Sequence, residues 1–99
     1  MSRYRDRDTE RFAAGEHVRK FEGVPDRAAS KALDRLDAAT RLIDLQSPSS
    51  NHFEALRGDR TGQYSIRINR QWRICFEWSE ERNEPFNIEI VIEIVDYHR

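Results

Sequence analysis

The 99-residue chain has one cysteine, Cys75, and two lysines, Lys20 and Lys31. A lone thiol excludes an internal disulfide framework and a cysteine-rich metal site. No apolar run is long enough to span a bilayer. The basic start Met1–Arg7 is not followed by the hydrophobic stretch of a signal peptide. A cytoplasmic location and no membrane contact are the resulting expectations. Repeats and low-complexity tracts are absent. The composition is 35% charged and 37% hydrophobic, yet 10% aromatic residues and several branched aliphatics argue against disorder. The length suits a single domain over residues 1–99 with one modest core.

With so little lysine, the cations are overwhelmingly arginines. Arginine grips phosphate or carboxylate with two prongs, whereas lysine is a point charge. The net charge of −1 hides an uneven distribution. Between Ala55 and Arg73, Arg57, Arg60, Arg67, Arg70 and Arg73 face Asp59 alone, a local +4. Between Glu77 and Glu93, six acids face Arg82, a local −5. A near-neutral total therefore does not exclude an anionic partner, although it argues against a general nucleic-acid coat protein.

Asp6–Glu16 reads as a short helix capped by Asp8 or Thr9. Pro25–Gln46 is the clearest helix, with Ala29, Leu33, Leu36, Thr40 and Ile43 at helical spacing. Its opposite face, with Arg27, Lys31, Asp34, Arg35, Asp37, Arg41 and Asp44, reads as solvated. Met1–Arg5 and His52–Arg57 read as short strands. Tyr64–Ile68 and Trp72–Trp78 alternate strictly, the mark of half-buried strands. Their apolar side holds Tyr64, Ile66, Ile68, Trp72, Ile74, Phe76 and Trp78. The other side, expected to be free, holds Gln63, Ser65, Arg67, Arg73, Cys75 and Glu77. Ser79–Pro85 reads as a charged loop and Asn87–Val95 as a long final strand. Helices segregated from hairpin-linked strands imply an α+β fold.

Phase decides how Tyr64–Ile68 pairs with Trp72–Trp78. A two-residue loop would set charged residues opposite apolar ones. A three-residue loop, Asn69-Arg70-Gln71, pairs Ile66 with Ile74 and Tyr64 with Phe76, and the hydrophobic pattern selects it. Such a loop usually needs a left-handed residue, which would be Asn69 or Gln71. This register sets Arg67 opposite Arg73. Facing like charges are destabilising, against a usual pair benefit of about 0.2–1 kcal/mol. Either a bound anion or Glu89 or Glu93 from the final strand would relieve them.

Three segments in order, KALDRLDAATRLIDL, LRGDRTGQYSIRINRQWRICFEW and the ending EIVDYH, resemble the HigB-type toxins of the RelE/ParE toxin–antitoxin superfamily. The resemblance covers nearly the whole chain. It implies two N-terminal helices packed on one face of a small twisted, mainly antiparallel sheet. It implies ribosome-dependent, metal-free cleavage of messenger RNA in the A site, with no cofactor. The implied partners are the 70S ribosome, the messenger RNA and a cognate HigA-like helix-turn-helix antitoxin. Arg73 matches the family's sheet arginine that faces the scissile phosphate. Asp96, Tyr97 and His98 match the C-terminal motif assigned to catalysis and RNA contact. Arg57 stands where many members have lysine, and Glu54 where some have a catalytic histidine. The general base is therefore open among Glu54, His98 and Tyr97. Arg60, Arg67 and Arg70 are the expected RNA contacts. His17 and His52 carry no motif and read as ordinary surface or loop residues. Two other readings stand beside the nuclease: a non-enzymatic, ParE-like inhibitor of another target such as DNA gyrase, and an inactive antitoxin-binding homologue.

Overall fold

The apolar stripe that begins at Ala29 winds into a helix, α2 (Asp26–Ala38), in the computed structural model, which describes residues 3–92. Ala29, Ala32 and Leu36 are its buried residues. The helix ends eight residues before the periodicity predicts, because local polar groups compete with helical hydrogen bonding. Ala39 turns extended, and the Asp44 carboxylate accepts from the backbone N–H groups of Thr40 and Arg41, both at 3.1 Å. Those bonds start a separate 3-10 turn, Leu42–Gln46. Ile43, expected on the apolar stripe, is consequently 57% exposed.

The first helix, α1 (Arg7–Ala13), is capped by Asp6 and not by Asp8 or Thr9. Asp6 accepts from the Thr9 N–H at 2.7 Å. Thr9 is instead fully buried, and its hydroxyl accepts from the Ile90 N–H at 3.2 Å, tying α1 to the sheet.

Four strands follow: β1 (Glu54–Ala55), β2 (Tyr64–Arg67), β3 (Trp72–Ser79) and β4 (Glu84–Ile92). They form one antiparallel sheet in chain order. The expected first strand reduces to a bridge between Tyr4 and Ile88, and His52–Arg57 to the two residues of β1. Two helices and a four-stranded antiparallel sheet make the chain α+β.

β2 and β3 pair in the register chosen by hydrophobic phase: Tyr64 with Phe76, Ser65 with Cys75, Ile66 with Ile74 and Arg67 with Arg73. The Ile68 N–H donates to the Trp72 carbonyl at 2.9 Å, closing the three-residue loop. Neither Asn69 nor Gln71 is left-handed. The Asn69 side chain does the work instead, accepting from the N–H groups of Gln71 (2.9 Å) and Trp72 (2.8 Å).

The final strand begins earlier than expected, since Ser79 already pairs with Glu84. A bulge then sets Asn87 and Ile88 against Phe76, with Asn87 at φ 51°. Ile66, Ile74, Phe76, Ile88 and Ile90 join Phe21, Val24, Leu36 and the small face of α2 in one core. Trp72 and Trp78 pack against that core, and Trp72 meets Phe21 edge-on at 6.0 Å. Among the described residues no helix is long and apolar enough to cross a membrane. Asp96, Tyr97, His98 and the residues of the expected final strand beyond Ile92 lie outside the described residues.

Candidate active site

The polar side of β2 and β3 is not free. Ser65 is fully buried, Cys75 is 4% exposed and Arg73 is 9% exposed. Alternation places these side chains opposite the core, and residues beyond the two strands then cover them. One is His52, before β1; another is Arg60, in the 3-10 turn Gly58–Arg60. Closure of this kind joins residues distant in sequence, so strand pattern alone does not reveal it.

Arg73 is the centre of the covered side. Its Nε and Nη2 both donate to Ser65 Oγ, at 2.9 and 2.6 Å. Nη2 also donates to the His52 carbonyl at 3.1 Å and pairs with Glu54 Oε1 at 3.0 Å. Buried charge demands this degree of satisfaction. The sheet explains the geometry. Glu54 pairs with Ser65 and Ser65 with Cys75, so the two acceptors share a row beside Arg73.

Arg67 is the cross-strand partner of Arg73. Its Nη1 lies 3.4 Å from His52 Nε2. Its Nε is buried and has no hydrogen-bond partner among the described residues. Glu89 does not serve this pair. It takes Arg60 Nη1 at 3.3 Å and Arg5 Nε at 3.5 Å. Arg60 Nη1 also donates to Gln63 Oε1 at 2.9 Å. Cys75 lies among these groups. Burial pushes its thiol pKa up, with the Arg60 charge opposing.

Of the residues singled out in the sequence, the fold therefore brings together Arg73, Arg67 and Glu54. Arg60 is engaged at the other end of the polar side with Glu89. Arg57 and Arg70 are exposed, Arg57 ahead of the 3-10 turn and Arg70 at the hairpin tip. Among the described residues no group of three or more His, Cys, Asp or Glu is placed to hold a metal ion.

Three residues of this corner are not assigned to the site by the sequence. Ser65 holds Arg73; its place beside that arginine follows from the β2–β3 register. His52 contributes its carbonyl to Arg73 and its ring to Arg67, and its position two residues before Glu54 was the available signal. Asn51 is 1% exposed. It accepts from Arg35 Nη1 at 3.0 Å and donates to the carbonyls of Leu45 (3.1 Å) and Ser47 (3.4 Å). Nothing in its sequence context marks it out.

Comparison with known proteins identifies the family. Residues 2–98 match the family model described as the RelE-like toxin of type II toxin-antitoxin system HigB. Toxin HigB-1 of Vibrio cholerae serotype O1 is 45% identical over 51 residues, covering 52% of this chain and 54% of that protein. An uncharacterized protein of Haemophilus influenzae is 37% identical over 59 residues, covering 60% of this chain and 56% of that one. The chain thus spans a little over half the length of the curated relatives it matches. With a family match over nearly its whole length, the chain belongs to the HigB-like toxins, the RelE-like toxins of type II toxin–antitoxin systems.

Proposed function

We propose that this toxin is a ribosome-dependent endoribonuclease that cuts messenger RNA in the A site. It works as a single domain in the cytoplasm, without metal or cofactor, and is restrained by a HigA-like helix-turn-helix antitoxin. The observation that carries this reading is the arginine corner. Arg73 is pinned by Ser65, His52 and Glu54, and Arg67 faces it with a buried Nε that has no hydrogen-bond partner among the described residues. A buried donor without a partner calls for an explanation, and a phosphate oxygen supplies one.

In the proposed reaction the substrate ribose 2′-oxygen attacks the adjacent phosphorus. The P–O2′ bond forms and the P–O5′ bond breaks. A base takes the 2′-OH proton, and an acid returns one to the departing 5′-oxygen. Arg73 stabilises the charge that builds on the phosphate oxygens, with Arg57 reaching the same group from the loop. Glu54, ion-paired with Arg73 at 3.0 Å, acts as its counter-ion. His98 is the acid, Asp96 orients it, and Tyr97 stacks on a base. Arg67, Arg70 and Arg60 guide the RNA backbone.

Expression followed by toeprinting on translated messages tests the proposal. The expected result is ribosome-dependent cuts that disappear in Arg73→Ala. Growth arrest with intact messages points to another target and overturns it, as does the absence of arrest.

A further inference from the structure

We infer that His52 is the general base of this toxin. The inference rests on the nuclease reading above and answers a question that reading leaves open. Glu54, the carboxylate that pairs with Arg73 among the described residues, is committed to that arginine. Taking it for proton transfer would leave a 9%-exposed guanidinium without that counter-ion.

His52 is free of that conflict. Its backbone is held on both sides. The preceding residue, Asn51, is anchored in the interior by Arg35 and by the carbonyls of Leu45 and Ser47. Its own carbonyl accepts from Arg73. Between these anchors His52 adopts φ 48°, ψ 48°, a left-handed conformation that a non-glycine residue keeps only when its surroundings impose it. The ring remains exposed, with Nε2 at 3.4 Å from Arg67 Nη1.

A guanidinium has no lone pair to offer, so the contact has one polarity: Arg67 donates and Nε2 accepts. An imidazole that accepts there carries its proton on Nδ1. A lone pair consequently points into the corner where the two arginines would hold the phosphate. When RNA enters, its phosphate draws Arg67 and the 2′-OH takes the place of that donor at Nε2. The proton passes from the 2′-oxygen to Nε2 as the P–O2′ bond forms. The 5′-oxygen leaves with a proton from the acid. The products are a 2′,3′-cyclic phosphate and a 5′-hydroxyl, and His52 returns its proton to solvent. Among the described residues, Arg67 from β2 meets the ring, while Arg73 from β3 meets the His52 carbonyl and pairs with Glu54 from β1.

Single-turnover cleavage by purified toxin, on 70S ribosomes programmed with a defined message, tests the assignment across pH. His52→Ala is expected to slow cleavage by about 10²–10⁴-fold. The limb on which the wild-type rate rises with pH should vanish, and added imidazole should restore part of the rate. Unchanged thermal melts would show that the fold is intact. Cleavage by His52→Ala within about threefold of wild type, with the pH limb retained, overturns the inference. So does a large loss with neither a changed profile nor rescue, because that marks a purely structural role. Arg73→Ala separates the two readings. If it abolishes cleavage while His52→Ala does not, only the base assignment falls. A wild-type protein that cuts nothing removes both.

Discussion

Arg73→Lys isolates what the geometry of a guanidinium contributes beyond its charge. Among the described residues the contacts of the arginine include Ser65 Oγ from both Nε and Nη2, the His52 carbonyl, and Glu54. A lysine ammonium is a single point with no second prong. It can follow Nη2 toward His52 and Glu54, but it cannot also occupy the Nε position against Ser65. At least one charge-assisted bond is lost at a buried site, worth about 1.5–3 kcal/mol. For a domain of this size, about 1 kcal/mol shifts Tm by roughly 4–8 °C. A fall of roughly 6–24 °C is therefore expected. If the chain is the proposed nuclease, its cleavage depends on where the donors point, and losing one preorganised donor costs about 10²–10³-fold. Calorimetry gives the first number and toeprint kinetics the second. If Arg73→Lys melts like wild type and cleaves within about threefold of it, the pinned guanidinium is not what stabilises the corner, and the argument fails.

Asn51→Ala removes a buried side chain with three hydrogen bonds, so destabilisation of about 2–4 kcal/mol is expected. Amide exchange should quicken between Ser47 and Glu54, and uniform exchange across the chain would refute the local anchor. Asp44 is held below the usual carboxylate range, first by the N–H groups of Thr40 and Arg41. A depressed folded-state pKa contributes stability that is fully present above the unfolded value and lost as pH falls through the folded one. The melting gap between wild type and Asp44→Asn should thus be full near neutrality and close in acid; a gap independent of pH counts against the cap. The Cys75 pKa is raised by burial and the thiol has little thiolate near neutrality. Alkylation by iodoacetamide should accompany unfolding, and rapid labelling of the native protein would contradict its position.

The β2–β3 register was legible because the apolar residues alternate strictly within each strand, and a slip of one residue would set them opposite charged ones. The facing of Arg67 and Arg73 follows directly. How the hairpin closes was less legible. The pattern asks for a left-handed residue, while Asn69 closes the loop with its side chain, a choice open to asparagine and invisible to periodicity. The length of α2 was misread for a related reason. Leu42 and Ile43 continue the apolar spacing, but Asp44 turns back to cap Thr40 and Arg41. The cover over Arg73 was illegible. It depends on a carbonyl 21 residues earlier in the chain, held in place by an asparagine that no periodic pattern requires.

Arg67 shows what this site costs the fold. Its side chain faces another arginine across the strands, and its buried Nε has no acceptor among the described residues. Opposed like charges cost about 0.2–1 kcal/mol, and an unsatisfied buried donor about 1–3 kcal/mol. The compensating contact is one hydrogen bond of 3.4 Å to an exposed ring, worth at most about 1 kcal/mol. Threonine at this position would suit a strand, remove the repulsion and leave no orphaned nitrogen. Arg67→Thr is therefore expected to raise stability by about 0.5–2 kcal/mol in urea unfolding, while weakening cleavage on the ribosome. The two effects must appear together. A stabilised variant with undiminished cleavage would mean that Arg67 never meets the phosphate. A destabilised one would mean that a contact to the arginine outweighs the repulsion, and that the corner is not waiting for an anion.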